Sequence, residues 1–331
     1  YYEDKNHDDK PDGKPEVLLE GFGIEDTHAL VSSLTWGPDG WLYGSQGSTV
    51  SSKIKIPGSD QPSIDRIGQL MWRYHPTRKI YEVFAEGGGN LWSCEFDSKG
   101  RLFSGHNGST PGSYYLPGAY YAKTFKKHGE FSNPYVYGHL PSIDHPGWKR
   151  LSTNVAVYEG GKLPKRFEGS LLWANTLLHT VGASTLTSAG LNFRSEYLDP
   201  LLSGDAPLFR PVYIEPGPDG AIYVADWRDK QVNHMKNHEG QINKSDGRIY
   251  RVRKKGAKEF QPLPFNKLST SELVEKLRDS NRWTRETARR ILWSRPDRND
   301  SIRPLFESKN PQDVLESLWA LDRKGVDGKD I

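Results

Sequence analysis

A turn that keeps returning constrains this chain more than anything else in it. In the segment DTHALVSSLTWGPDGWLYGSQG, Asp26 to Gly47, the apolar run Leu34-Thr35-Trp36 meets Gly37-Pro38-Asp39-Gly40 and is followed by Trp41-Leu42-Tyr43. Proline presets φ, aspartate can bond its own backbone, and glycine accepts positive φ. Two β-rich runs around such a turn make a hairpin. The pattern recurs as CEFDSKG ahead of Arg101-Leu102-Phe103-Ser104 and as IEPGPDG ahead of Ala221-Ile222-Tyr223-Val224. A degenerate copy is Phe167-Glu168-Gly169-Ser170-Leu171-Leu172-Trp173. Gly40, Gly100, Gly169 and Gly220 thus stand roughly 50 to 70 residues apart, the self-similarity expected of a propeller or a similar array. The expected fold is mainly β: a β-propeller, one inner hairpin per blade.

Composition agrees with many turns and an aromatic core. Only 35% of the 331 residues are hydrophobic, yet 11% are aromatic, with ten Trp and sixteen Tyr. The net charge of +3 gives no field that points to nucleic acid. Cys94 is the only cysteine, which excludes an internal disulfide, a CxxC redox pair and a covalent haem site within these residues. No apolar run has the length of a membrane span, and no signal peptide is visible. The chain opens in a polar run and stops amid charged residues, so it reads as a window from a longer polypeptide, with the propeller incomplete at its N-terminal end.

The period changes after Gly256. Residues 257–267 form a basic linker with Pro262 and Pro264, and residues 268–331 turn helical. Ser269 with Glu272 three residues on is a capping box. Leu273, Val274 and Leu277 give one helix; Trp283, Thr287, Ala288, Ile291 and Leu292 a second; Val314, Leu315, Leu318 and Leu321 a third. Short paired helices with a Trp-x-Arg-x-x-Ala core read as the start of a HEAT-type solenoid. A single such unit cannot bury its own face, so further repeats are expected to follow.

In a propeller blade, residues just before the first strand and just after the second emerge on the same face. His28, Asn90 and Arg210 precede first strands. Gln46, His106 with Asn107, and Asp226 with Arg228 follow second strands. Together they would ring one mouth, a place for a small polar ligand, with His28 as the candidate general base. At the N-terminus, Asp4, Asn6, Asp8 and Asp12 alternate as in a calcium loop, although Asp9 stands where that loop needs glycine and Pro15 where it needs glutamate. His128, His139, His145, His234 and His238 lack HExxH-like spacing, and there is no GxSxG or Walker loop.

DTHALVSSLTWGPDGWLYGSQGSTV, GQLMWRYHP, YEVFAEGGGN, SGHNGS, KHGEFSNPY, FRPVYIEPGPDGAIYVADW and NHEGQINKSDGRIYRV resemble the membrane-bound dehydrogenase family of planctomycetes and verrucomicrobia. The resemblance implies a propeller over residues 1–256, six-bladed in the whole protein, then HEAT-like repeats, then a c-type haem domain beyond Ile331. It also implies an exported or periplasmic setting and a sugar or polyol as substrate. More distantly the propeller is similar to soluble quinoprotein glucose and sorbosone dehydrogenases, which carry pyrroloquinoline quinone. That similarity implies a catalytic role for His28 and cofactor or substrate binding by Asn90. It also expects an Arg where Gly89 stands, and a basic pair near Leu177 to Thr185, a stretch without Lys or Arg. Two readings follow: a dehydrogenase passing electrons to the downstream haem, or a non-enzymatic propeller that binds a glycan or protein partner.

Overall fold

The structure is a computed structural model that describes residues 1–6, 8, 10–105, 112–123, 138–147, 152–204, 207–230, 232 and 244–321. Strands β1 (Ser32–Trp36), β2 (Leu42–Gln46), β5 (Leu70–His75) and β6 (Ile80–Gly88) build the first antiparallel sheet, with β3 (Ser51–Ile54) and β4 (Ile64–Ile67) as a side hairpin. The second sheet is β7 (Glu95–Phe96), β8 (Leu102–Ser104) and β9 (Ser113–Tyr115); β10 (Tyr120–Lys123) then returns to run parallel to β6. The third contains β11 (Val155–Val157), β12 (Leu171–Asn175) and β13 (Thr180–Ser184). Beyond the side hairpin β14 (Thr187–Ala189) and β15 (Asn192–Arg194) it adds β16 (Leu202–Ser203). The fourth is β17 (Pro211–Pro216), β18 (Ile222–Asp226) and β19 (Arg248–Val252).

The sheets pack face to face. Tyr43, Met71, Phe84, Phe96, Tyr115 and Tyr121 fill the space between the first and second. On β12, Leu171 and Trp173 join Phe103 and Phe193, while Leu172 and Ala174 join Tyr158, Ile214 and Val224 on the other side. Alternate side chains point to opposite faces of a strand, so a strand covered on both sides reads as the unbroken apolar run LLWA. Each large side chain removed from water in this way contributes roughly 1.5–3 kcal/mol. Neighbouring first strands are also stitched by polar groups. The Glu95 carboxylate accepts from the amide of Val157 at 3.2 Å, and Asn154 Oδ1 accepts from that of Ile214 at 2.7 Å.

The recurring turns form as their residues predict. Gly40, Gly100, Gly169 and Gly220 have φ between +70° and +77°, the left-handed region that a side chain resists. In three of the turns the aspartate Oδ1 accepts from the amide two residues on: Trp41 (3.3 Å), Lys99 (2.9 Å) and Ala221 (3.2 Å). Their second oxygens receive a guanidinium, from Arg73 to Asp39, Arg101 to Asp97 and Arg251 to Asp219. Sequence reading missed this second half of the device, because Arg73 and Arg251 arrive from another strand.

Among the described residues, four α-helices follow: α1 (Thr270–Lys276), α2 (Arg282–Leu292), α3 (Arg298–Ile302) and α4 (Pro311–Leu321). The capping box forms, with the Glu272 amide donating to Ser269 Oγ at 3.3 Å and the Ser269 amide to Glu272 Oε2 at 2.8 Å. The short α3 was not expected; it buries only Ile302, too little to make a periodic pattern. Leu273, Leu277, Ala288, Leu292, Ile302 and Leu305 form the helical core. Beside it Glu316 takes Arg285 and Arg289, both at 2.8 Å, with Arg289 lying 5.4 Å from the ring of Trp319.

These helices sit on the turns of the β sheets. A Cβ at Gly100 would stand 3.0 Å from Trp319 and 3.3 Å from Pro38, so the indole occupies room that only glycine leaves. Gln312 Nε2 donates to the Ser98 carbonyl at 2.6 Å, and Asn281 Nδ2 to those of Gly217 (3.0 Å) and Pro218 (3.1 Å). The Arg282 amide donates to the Glu159 carbonyl at 2.9 Å. The turn end of the first strands is therefore covered by helix, and the loops that precede those strands lie at the opposite end.

Candidate functional site

At that loop end the chain before β1 folds around Asp26. Its Oδ1 accepts from the His28 amide at 2.9 Å and faces His28 Nδ1 at 3.1 Å; its Oδ2 accepts from the Thr49 hydroxyl. Burial alone would raise this carboxyl, but the Thr49 hydroxyl and the His28 amide and ring outweigh it and hold Asp26 below the ordinary range. The His28 side chain is 38% exposed and its carboxylate partner 30%. Trp92 Nε1 donates to the His28 carbonyl at 3.2 Å, fixing the backbone that carries the imidazole.

Asn90 is brought to the same place. Its Oδ1 accepts from the Ser48 amide (3.0 Å) and hydroxyl (2.5 Å), which fixes the plane of its carboxamide. A Cβ at Gly47 would touch both Ala29 and the Asn90 oxygen, so the His28 turn, the loop after β2 and the loop before β7 meet at one point. A carboxylate-held imidazole beside an oriented amide can accept a proton from a hydroxyl and bond a neighbouring oxygen.

The other residues read from the sequence are engaged within the fold. Gln46 is buried, its Nε2 donating to the Gly68 carbonyl at 3.0 Å and its Oε1 accepting from Ser52 at 2.5 Å. Arg210 is 7% exposed and its guanidinium donates to three carbonyls: Asp229 (3.0 Å), Thr176 (3.0 Å) and Lys230 (2.8 Å). Asp226 accepts from the amides of Arg210 (2.7 Å) and Arg228 (2.9 Å), and Arg228 adopts φ +49°. Three residues that sequence alone placed around a mouth are thus braces between loops. Residue types show no such use; only the folded partners reveal it. His106 and Asn107 lie outside the described residues, as do His128, His234 and His238. His145 is buried, with Nδ1 2.9 Å from Ser195 Oγ.

The N-terminal acidic residues bond backbone amides of their own loop. Asp4 Oδ1 and Asn6 Oδ1 both accept from the Asp8 amide, Asp8 from that of Lys10, and Asp12 from that of Lys5. Among the described residues no three of His, Cys, Asp and Glu come together as metal ligands. An acidic quinone needs cations at the loop end. Arg210 is enclosed by carbonyls and the stretch Leu177 to Thr185 has no Lys or Arg, so neither place supplies one.

Comparison with known proteins adds a family and a set of remote structural likenesses. A family model with the description "Domain of unknown function (DUF7133)" matches residues 1–256. No curated protein matches. Among solved structures, an oxidoreductase described as a glucose dehydrogenase, from Thermus thermophilus, is 20% identical with a TM-score of 0.44, covering 68% of this chain and 66% of its own. A second glucose dehydrogenase is 17% identical with a TM-score of 0.39, covering 69% and 63%. The soluble aldose sugar dehydrogenase of Escherichia coli, in its apo form, is 13% identical with a TM-score of 0.38, covering 66% and 83%. The chain spans just under two thirds of the length of the first two.

Proposed function

The chain belongs to the family described as a domain of unknown function, DUF7133, and from that premise we propose that it is a sugar- or polyol-oxidising module, a β-propeller followed by HEAT-like helices. The observation that carries this reading is the half-exposed His28–Asp26 pair at the loop end, with Asn90 beside it. With Nδ1–H donating to Asp26, Nε2 is the basic nitrogen of the ring. It takes the substrate's hydroxyl proton while the adjacent carbon gives up hydride to a two-electron acceptor. Asp26, held ionised by Thr49 and His28, stabilises the imidazolium that results. The Asn90 amide bonds a substrate oxygen. No step is assigned to a quinone, since Arg210 is enclosed by carbonyls and Leu177 to Thr185 carries no Lys or Arg. Onward transfer to a c-type haem domain and an exported location belong to the same reading and are supported by the sequence resemblance alone.

A panel of sugars and polyols with a dye acceptor, with and without added pyrroloquinoline quinone and calcium, tests it. Sugar-dependent dye reduction is expected, and His28→Ala should lower it by about 10²- to 10⁴-fold with ligand binding retained. Full activity in that variant removes His28 from the chemistry. One observation favours a second reading: Gln46, Arg210 and Asp226 are all braces. Saturable sugar binding by calorimetry, with no turnover under any acceptor, would make the module a binding unit for a glycan or protein.

A further inference from the structure

Three consecutive residues after β2 reach the three parts of the His28 site, each through a different group. The Gly47 amide donates to the Ala29 carbonyl at 3.0 Å, tying the loop to the turn that carries His28. The Ser48 amide (3.0 Å) and hydroxyl (2.5 Å) both donate to Asn90 Oδ1. The Thr49 hydroxyl donates to Asp26 Oδ2, and the other oxygen of that carboxylate faces His28 Nδ1 at 3.1 Å. Gly47 and Ser48 are buried, and a Cβ at Gly47 would stand 2.6 Å from the Ala29 Cα, so the loop has no room to drift. Among the described residues the two hydroxyls make no other bond, so both serve the site alone.

We propose that Gly47-Ser48-Thr49 is the positioning clip of the site: Thr49 sets the His28 ring through Asp26, Ser48 aims the Asn90 amide, and the loop joining them fixes the distance from base to amide. The proposal rests on the reading of His28 as the base. With both acceptor positions of Oδ1 taken by Ser48, the Asn90 carboxamide cannot flip, and it presents Nδ2–H to the ligand. The ligand atom beside the reacting hydroxyl must then be an acceptor oxygen. Thr49 occupies one carboxylate oxygen and fixes the plane of the other, which keeps the ring proton on Nδ1. The two residues therefore fail in different ways. Asn90 holds substrate in the ground and transition states alike, so loosening it raises KM. Asp26 acts on the imidazolium that forms only as the proton moves, so loosening it lowers kcat.

Ser48→Ala, Thr49→Val and Thr49→Ser in the full chain test the clip, read by heteronuclear NMR of the imidazole and side-chain amide nitrogens and by kinetics with a dye acceptor. Thr49→Val should mix the ring tautomers of His28 and lower kcat about 10- to 100-fold at unchanged KM. Thr49→Ser keeps the hydroxyl and should restore both. Ser48→Ala should move the Asn90 side-chain amide signals to free-amide positions and raise KM about 3- to 10-fold with kcat kept. Should a variant not fold, Thr49→Ala or Ser48→Gly takes its place. An unchanged His28 tautomer in Thr49→Val with unmoved Asn90 signals in Ser48→Ala overturns the clip, whether or not any sugar is oxidised. The same loss of kcat and KM in both variants overturns it too, since that marks general loosening of the loop. If the NMR changes appear as expected but no sugar or polyol is oxidised, the clip stands and the dehydrogenase reading falls.

Discussion

Arg210 and Arg282 are both buried, one at the loop end of the sheets and the other at the turn end, yet their surroundings are opposite in kind. Arg210 is enclosed by neutral carbonyls and Arg282 by carboxylates. Burial draws the proton affinity of Arg210 below its ordinary value, with only Asp229 opposing it; that of Arg282 is raised by its anions in spite of burial. Dipoles can hold a cation in place without a titrating partner. Full charges hold it more strongly but bring titrating protons with them. The brace at Arg210 is thus built from groups that do not titrate, and the seat of Arg282 from groups that do.

The contrast breaks most visibly at Arg282. Arg282→Ala leaves Glu95 and Glu159 without their cation and should cost about 3–5 kcal/mol. Urea unfolding followed by circular dichroism should then show the helices melting ahead of the sheets; a loss below about 1 kcal/mol would mean the charges are not truly desolvated. Arg210→Ala comes next. It strands carbonyls of Thr176, Asp229 and Lys230, a loss of about 2–3 kcal/mol, and the loss should be the same at pH 5 and pH 8. A marked pH dependence there would erase the distinction between the two arginines. The smallest effect belongs to Asp26→Asn, about 0.5–1 kcal/mol for a part-exposed carboxylate. Because the Asp26 carboxyl is held below 3.8, its contribution is present above that pH and disappears as pH falls through its folded value. Acid titration of stability should be shallower below pH 4 in the variant.

The hairpins were legible because their information is local. Gly-Pro-Asp-Gly fixes the turn whatever surrounds it, and Ser269 with Glu272 fixes a helix start within four residues. His28 and Asn90 were found by their place before first strands, and the fold brings both to one point. The same rule selected Gln46, Arg210 and Asp226, whose partners lie in other loops and answer structural needs. The Arg282 seat was barely legible. Only Glu286, four residues on, is marked by its spacing; Glu95 on β7 and Glu159 after β11 carry no sign in their own segments of a shared arginine. The Trp-x-Arg-x-x-Ala pattern did point to helix, but the arginine in it, Arg285, proved to belong to Glu316.

The bridge between Glu95 and Arg282 joins residues 187 positions apart. A ribosome delivers the chain from its N-terminus, so the sheets can assemble, neighbour by neighbour, before the arginine is made. Until then Glu95, Glu159 and Glu215 lie together with no cation from α2, and a nascent chain gains by keeping them hydrated or protonated. Closing so long a loop is slow compared with pairing adjacent hairpins. The helices should therefore be the last part to acquire native order during synthesis and the first to lose it on unfolding, which makes their attachment the chain's natural checkpoint for completed assembly.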